Sequence, residues 1–178
     1  MTDRNGPRVT IADFKAAMRK FAATVTLVTT NHDGKSHGMP ATAITSLSAE
    51  PPSLLVCINR SASMHGPTSR SRHFCVNMLT QEQAWLCTEF GTRAGGDRFQ
   101  VGEWRIGMHG LPYVASAAAT LFCTVEDQLD YGTHTIFVGK IDAIKIGSPA
   151  EPLVYQEGHM GSFVPLPSRA STGERARA

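Results

Sequence analysis

The segment from Gly34 to Gln81 concentrates side chains that could bind a phosphate group. Glu50 is its only acidic residue. Its basic and hydroxyl residues include Lys35, Arg60, Arg70, Arg72, His37, His65, His73, Ser36, Thr42, Thr45, Ser46, Ser48, Ser61, Ser63, Thr68, Ser69 and Ser71. Arginine, small hydroxyls and free backbone N–H groups in loops are the groups that hold phosphate oxygens. The segment therefore predicts a phosphate-binding region, with a solvated basic loop as the alternative.

Several other chemical signatures are absent from the chain. There is no G-x-G-x-x-G and no G-x-x-x-x-G-K-[ST], so a phosphate-bearing ligand would need a different binding mode. No H-E-x-x-H and no Cys/His cluster occurs, so we expect no metal site. The four cysteines form no C-x-x-C pair and are expected to be reduced thiols. Glu126 and Asp127 are adjacent, and neighbouring strand residues point to opposite faces, so they do not form a glycosidase pair.

The hydrophobic pattern predicts mostly antiparallel β-structure with two helices. A capping box at Thr10–Asp13 opens a helix over residues 11–21, and Thr80 caps a helix over residues 81–90. Strands are predicted over residues 23–30, 36–48, 53–59, 73–79, 117–130, 133–146 and 149–155. Asp33-Gly34 and Tyr131-Gly132 are predicted hairpin turns, and residues 91–102 are a Gly-rich loop. Because strands and helices do not alternate, we expect a barrel-like sheet with helices on its outside.

Length and composition indicate one globular domain. The chain has 178 residues, which we divide into a loose leader (1–9), the domain (10–164) and a tail (165–178). Its net charge of +2 is too small for a general nucleic-acid binder. Only 18% of residues are charged, which indicates a surface partly covered by a subunit or ligand. No apolar run suits a membrane span and no secretory signal is visible, so we expect a cytoplasmic protein without membrane contact.

Five motifs, in order, resemble the short-chain flavin reductases of two-component monooxygenases. The first two are residues 38–52 (GMPATAITSLSAEPP) and 54–63 (LLVCINRSAS). Residues 74–79 (FCVNML) resemble the F-x-V-N-x-L strand of that family. Residues 132–139 (GTHTIFVG) resemble its G-[DT]-H hairpin, and residues 151–155 (EPLVY) resemble its P-L-[IVL]-[YW] strand. The match extends over about residues 11–163.

This resemblance implies a mainly β fold with flanking helices, a split β-barrel of the FMN-binding type. It implies a homodimer, with flavin bound at the subunit boundary. It further implies NAD(P)H:flavin oxidoreductase activity on FMN or FAD, with NADH or NADPH as hydride donor and a separate monooxygenase as recipient of the reduced flavin. Flavin would then act as a substrate as much as a prosthetic group. Pro40 departs from the family pattern because proline lacks a backbone N–H that could contact flavin.

The resemblance also assigns site residues. Ala41, Thr42, Ala43 and Ser46 would lie along the flavin ring and ribityl chain, and Cys57, Ile58 and Asn59 would approach the ring from the next strand. Ser61 and Ser63 would hold phosphate oxygens, with a cation from Arg98 and an apolar wall from Phe99. The predicted catalytic residue, His134, would face the nicotinamide together with Tyr155 and His159.

Three other functions stay open at this point. One is a different split-barrel flavoenzyme, similar to pyridoxamine-phosphate oxidases or corrinoid reductases. The second is a flavin carrier or sensor without enzymatic activity, and the third, a nucleic-acid module, lacks a clustered basic helix. Turnover of NADH with added flavin would separate the reductase from the carrier.

Overall fold

The computed structural model describes residues 9–92 and 98–166. The predicted leader and tail lie almost wholly outside these ranges. The first helix, α1 (Ile11–Met18), begins at the predicted capping box, in which the Asp13 amide donates to Thr10 Oγ1 over 3.1 Å. It ends earlier than predicted because Lys20 and Phe21 donate to carbonyls three residues back, which tightens and closes the last turn. Within the described residues, no helix is long and apolar enough to cross a membrane.

Seven antiparallel strands form the main sheet, in the spatial order β3-β2-β6-β9-β10-β5-β4. Their bounds are β2 (Thr26–His32), β3 (Lys35–Ala41), β4 (Ile44–Ala49), β5 (Pro52–Asn59), β6 (His73–Met78), β9 (Ala119–Tyr131) and β10 (His134–Ile146). Smaller sheets are formed by β1 (Ala23–Thr24), β11 (Leu153–Gln156) and β12 (His159–Ser162), and by β7 (Trp104–Ile106) with β8 (Pro112–Val114). Both predicted hairpin turns are confirmed, with Asp33, Gly34 and Gly132 at positive φ.

The two edge strands of the main sheet, β3 and β4, are consecutive in the chain. Only residues 42–43 separate them, so Ala41 and Ile44 are three Cα steps apart, at most about 11 Å, and the edges meet at this point. The Cys57 amide donates to Ala43 O over 3.0 Å and holds the connection against β5. The sheet therefore curls into a barrel that stays open between β3 and β4. The predicted split barrel is confirmed, whereas the predicted single run over residues 36–48 is two strands with different partners.

The barrel interior is apolar and is closed at one end by a short helix that the sequence pattern did not predict. Val28, Val56, Phe74 and Phe137 are fully buried inside the barrel. The helix, α2 (His65–Ser71), follows Met64, which is also fully buried in this core. Its composition of glycine, proline and serine disfavours a helix interior. Burial of the helix against the core outweighs this preference.

A second apolar cluster lies outside the barrel, beneath α3 (Ala84–Thr92). A single 3-10 turn (Gln81–Gln83) precedes this helix, and the Thr80 amide donates to Gln83 Oε1 over 3.0 Å at the predicted cap. The predicted long strands are confirmed as β9 and β10. The last predicted strand begins at Leu153 rather than residue 149, because Pro152 makes only an isolated bridge to Thr80.

Candidate active site

The connection between β3 and β4 forms one wall of a cavity of about 350 Å³. The lining residues are Val25, Pro40, Ala41, Thr42, Cys87, Tyr155 and Met160. Most of this wall is apolar, with polar atoms only on Thr42, Tyr155 and Cys87. Burial raises the pKa of the Cys87 thiol, so this residue lines the cavity as a neutral group. An apolar cavity with a few polar groups suits an aromatic ring.

A hydroxyl-bearing loop, residues 59–63, lies between β5 and α2. Asn59 shapes it: its side-chain Oδ1 accepts from the Ser61 amide over 2.9 Å and from Ser61 Oγ over 2.8 Å. Ser61 and Ser63 are both exposed. The loop is held against the β9–β10 turn, because the Arg60 amide donates to Thr133 O over 2.9 Å and Arg60 Nη2 donates to Gly132 O over 2.5 Å. The loop therefore presents hydroxyls to solvent from a fixed position, as a phosphate site requires.

His134 is the first residue of β10 and lies directly opposite Asn59 in the sheet register. Its imidazole is exposed, and Nδ1 lies 2.9 Å from the Thr133 hydroxyl. The structure therefore brings the predicted catalytic histidine next to the predicted phosphate loop, although 70 or more residues separate them in sequence. Antiparallel pairing of β5 with β10 is the physical cause of this proximity.

The remaining predicted residues of β5, of β4 and of the connection before β4 differ in how far they are exposed. Cys57 and Asn59 share one face of β5, and Cys57 is half-buried. Ile58 is fully buried in the barrel core, so its side chain is not available to a ligand. Ala43 and Ser46 are exposed, and Ser46 lies opposite Leu54 in the β4–β5 register.

Arg98 and Phe99 lie against the end of α3, where both contact Phe90. The Arg98 guanidinium donates to Phe90 O over 2.8 Å and lies 5.4 Å from the Phe90 ring centroid. Phe99 packs on Phe90 and Trp104, with ring centroids 5.2 and 4.6 Å away. Both side chains thus have a packing role, and their contact with a flavin stays a prediction.

The two nicotinamide-facing residues predicted near the C-terminus lie on the small sheet. Tyr155 on β11 lines the cavity, and its register partner Met160 lines it as well. His159 is exposed beside Met160 and lies opposite Gln156.

Basic groups converge at the end of the barrel that α2 closes. The pKa of His37 lies below its ordinary value, first because of partial burial and then because of the nearby charges of His32, Arg70, Lys35 and Arg98. Arg70 Nε donates to His32 Nε2 over 2.9 Å. Lys35 and Arg70 of the acid-poor segment therefore lie near His32 and Arg98, with the Asp33 carboxylate 3.3 Å from His32 Nε2.

A larger cavity of about 620 Å³ lies elsewhere, between residues 80–82, 115–117 and 146–151. Its lining includes the carboxylates of Glu82 and Glu151 and no basic side chain. It is therefore unsuited to a phosphate-bearing ligand, and the hydroxyl loop is the better site. Within residues 9–92 and 98–166, no group of three His, Cys, Asp or Glu side chains could hold a metal ion.

Sequence reasoning missed several residues of this region. Cys87, Met160 and Val25 line the cavity, yet they come from α3, the short strand β12 and the residue between β1 and β2, with no motif of their own. His65 and Thr135 contact each other beneath the hydroxyl loop, and only the register of β5 with β10 brings them together. No local pattern in the sequence could have identified these contacts.

The donor set fits a phosphate-bearing aromatic ligand such as a flavin nucleotide. The exposed Ser63 hydroxyl supplies a donor for a phosphate oxygen, and the Ser61 hydroxyl would supply a second one by turning away from Asn59 Oδ1. The apolar cavity at Thr42 and Tyr155 supplies a wall for a ring. The two parts are joined through β5 and the residue 42–43 connection.

Comparison with known proteins identifies the family of the chain. The flavin reductase like domain family matches residues 18–163. The reductase component of an FADH2-dependent resorcinol hydroxylase from Rhizobium sp. (strain MTP-10005) is 40% identical over 147 residues, 81% of this chain and 82% of that protein. The FMN reductase (NADH) RutF from Pseudomonas syringae pv. syringae (strain B728a) is 40% identical over 143 residues, 80% of each chain.

A solved structure shows the same fold. The NADH:FAD oxidoreductase SgcE6 of Streptomyces globisporus C-1027, in complex with NAD and FAD fragments, superposes with a TM-score of 0.81 and 28% identity. The superposition covers 86% of this chain and 93% of that one. Because the family model spans most of the barrel and its site, the chain belongs to the flavin reductase like domain family.

Proposed function

We propose that this protein is an NAD(P)H-dependent flavin reductase, which reduces FMN or FAD and supplies the reduced flavin to a partner monooxygenase. The observation that carries the proposal is the direct register pairing of His134 with Asn59, which places an exposed imidazole beside a hydroxyl loop. The relatives support it: they are a hydroxylase reductase component, an NADH-dependent FMN reductase and an NADH:FAD oxidoreductase.

The residues of this chain would act mainly by binding and positioning. When bound, flavin supplies a ring that accepts a hydride from the nicotinamide. Ser61 and Ser63 would hold its phosphate, while Thr42 would contact the ring and exclude water from one side. Because Tyr155 lines the same cavity as Thr42, we place it against the flavin ring rather than facing the nicotinamide, as the resemblance implied. His134 would bind the incoming dinucleotide, because its imidazole is exposed beside the loop. Hydride transfer needs little acid–base chemistry from the protein, which agrees with the absence of a carboxylate pair at this site.

Exposure of the site agrees with release of the product. The hydroxyls of Ser61 and Ser63 and the imidazole of His134 are all exposed. A ligand held there keeps an open path to solvent, as transfer of reduced flavin to a second protein requires. We therefore expect moderate flavin affinity and a purified protein that is colourless or only partly yellow.

We further propose that the protein is a homodimer and acts in the cytoplasm. Every residue of α1 is exposed, and its apolar side chains Ile11, Phe14 and Met18 are 74%, 57% and 44% exposed. Covering such a face is favourable, and a second copy of the chain is our proposed partner. The cytoplasmic placement is supported by the four free cysteines, which persist in a reducing compartment.

The function is tested by measuring NADH and NADPH oxidation with FMN, FAD and riboflavin added in turn. We expect rapid, flavin-dependent oxidation with at least one nicotinamide donor. Flavin binding without oxidation would instead indicate a carrier. Oxidation of pyridoxamine phosphate or reduction of a corrinoid in preference to free flavin would indicate another split-barrel enzyme.

A further inference from the structure

A chain of hydrogen bonds runs beneath the hydroxyl loop through a fully buried threonine. Thr135 follows His134 on β10, and its hydroxyl donates to Asp130 Oδ1 over 2.5 Å. His65 Nε2, at the start of α2, lies 2.7 Å from the same hydroxyl oxygen. Since a hydroxyl has one proton and Asp130 receives it, Thr135 must accept from His65 Nε2–H. The direction of both bonds is therefore determined.

A second set of contacts ties the other end of the loop to the same hairpin. Arg60 Nη1 lies 3.7 Å from Asp130 Oδ2, and its amide and Nη2 bind the carbonyls of Thr133 and Gly132. Asp130 thus contacts Arg60 through one carboxylate oxygen and Thr135 through the other. The loop is fastened to the β9–β10 hairpin at its beginning by Arg60 and just after its end by His65.

The packing around the threonine leaves these bonds little freedom. Thr135 has no exposed surface, and the His65 ring packs edge-on against the fully buried Phe137 at a centroid distance of 5.6 Å. A hydroxyl in such a place is costly unless both of its bonds are made. A movement of the loop that displaced His65 would therefore be transmitted to Thr135, the backbone neighbour of His134.

From this geometry we infer that Thr135 is a positioning residue that couples phosphate binding on the loop to the placement of His134. The inference rests on the proposed function, because it assigns the phosphate to Ser61 and Ser63 and the nicotinamide to His134. A phosphate bound by Ser61 and Ser63 would shift the loop, and this shift, passed on through His65 and Thr135, would improve nicotinamide binding at His134. By linkage, the nicotinamide dinucleotide would improve binding of the phosphate-bearing flavin by the same factor.

The test compares FMN with riboflavin, which has the same ring and no phosphate. The dissociation constant of NAD⁺ is measured by titration calorimetry on protein saturated with each flavin. In the unmodified protein we expect NAD⁺ to bind about tenfold more tightly in the presence of FMN, within the usual range for coupled sites. Thr135→Val keeps the shape but removes the hydroxyl, and it should reduce this ratio to about one. Thr135→Ser retains the hydroxyl and should preserve the ratio.

Steady-state kinetics give a second readout. With FMN as acceptor, Thr135→Val should raise KM for NADH towards the value measured with riboflavin, with a much smaller change in kcat. A purely structural role would lower activity with both flavins equally. His65→Phe, which keeps a ring against Phe137 but removes the donor, provides the same test if Thr135→Val fails to fold.

Three results would overturn the inference: equal NAD⁺ affinity with both flavins in the unmodified protein, an unchanged ratio in Thr135→Val and His65→Phe, or loss of the ratio in Thr135→Ser. These results differ from failure of the proposed function, in which no flavin supports NADH oxidation by the unmodified protein.

Discussion

At the scale of single residues, His134 lies where two distant segments meet. Its ring is exposed, and Nδ1 lies 2.9 Å from the Thr133 hydroxyl. Its partner in the sheet register is Asn59, where the hydroxyl loop begins. Its identity as a site residue could be predicted from the G-[DT]-H motif. Its neighbours His65 and Thr135 could not, because their contact depends on the pairing of β5 with β10 rather than on local sequence.

Replacing His134 tests its assignment to the nicotinamide. His134→Ala should raise the KM for NADH at least about tenfold, the loss expected for a hydrogen bond from a polar group to a charged ligand. The dissociation constant of FMN, measured by fluorescence, should change much less. His134→Asn, which keeps a hydrogen-bonding side chain, should recover part of the loss. Equal weakening of NADH and FMN binding in His134→Ala would contradict the assignment.

Asp142 provides a prediction about stability and pH. Burial acts to raise the pKa of its carboxyl, but hydrogen bonds from Thr124 and His109 and the charge of Lys140 more than offset this, so the pKa lies below its usual value. The distances are 2.6 Å from Thr124 Oγ1 and 3.0 Å from His109 Nε2. A lowered pKa in the fold means that the stabilisation is present above the unfolded pKa of about 4 and is lost as pH falls through the folded pKa.

We therefore expect Asp142→Asn to lower the free energy of unfolding at pH 7 by about 1–3 kcal/mol. The difference from the unmodified protein should shrink as pH falls from about 5 to 2. Urea unfolding across this range measures both effects. A difference that stays constant or grows at low pH would show that the carboxylate is not responsible.

At the scale of elements, the sequence pattern predicted the long strands and both hairpin turns. Long runs rich in β-branched and other apolar residues mark β9 and β10, and Asp33-Gly34 supplies the positive φ of a tight turn. The helix α2 was not predictable, because Gly66 and Pro67 disfavour helices and only burial of Met64 and Thr68 fixes the segment. The division of residues 36–48 into β3 and β4 could not be predicted either, because it arises from a change of partner strand, from β2 to β5.

The close packing of β10 on β6 can be tested at Gly139. A Cβ there would lie 2.4 Å from Phe74 Cζ and 3.2 Å from Cys123 Cβ, and both residues are fully buried. Gly139→Ala should therefore lower the free energy of unfolding by about 1–3 kcal/mol, the usual cost of overpacking. Gly161→Ala, on a strand with open space around the added methyl group, is the matched control. Equal stability of the two variants in urea unfolding would contradict the packing described here.

At the scale of the whole molecule, the barrel is open between its two edge strands, and the chain crosses that opening at residues 42–43. The fold and the ligand class were predictable because four of the five motifs occupy strands of the barrel and the fifth lies on β11 of the small sheet. The cavity lining was less predictable. Its lining residues Val25, Cys87 and Met160 come from the β1–β2 connection, α3 and the small sheet, and none of the three lies in a motif.

The exposed apolar face of α1 leads to a prediction about assembly. Light scattering should give twice the chain mass of 19.2 kDa for the unmodified protein. The double variant Ile11→Glu/Phe14→Glu should shift the mass towards one chain, because charges on a buried interface are costly. Ile144→Glu, a charge on an exposed residue of β10, serves as the comparison. A monomeric unmodified protein would contradict the proposed dimer.

The central claim is that the hydroxyl loop and the adjoining cavity hold a flavin nucleotide. A crystal structure with oxidised FMN tests it most directly. We predict a phosphate within hydrogen-bond distance of the Ser61 and Ser63 side chains and a ring against Thr42 and Tyr155. A flavin bound in the larger cavity beside Glu82 and Glu151, with the loop empty, would contradict the account.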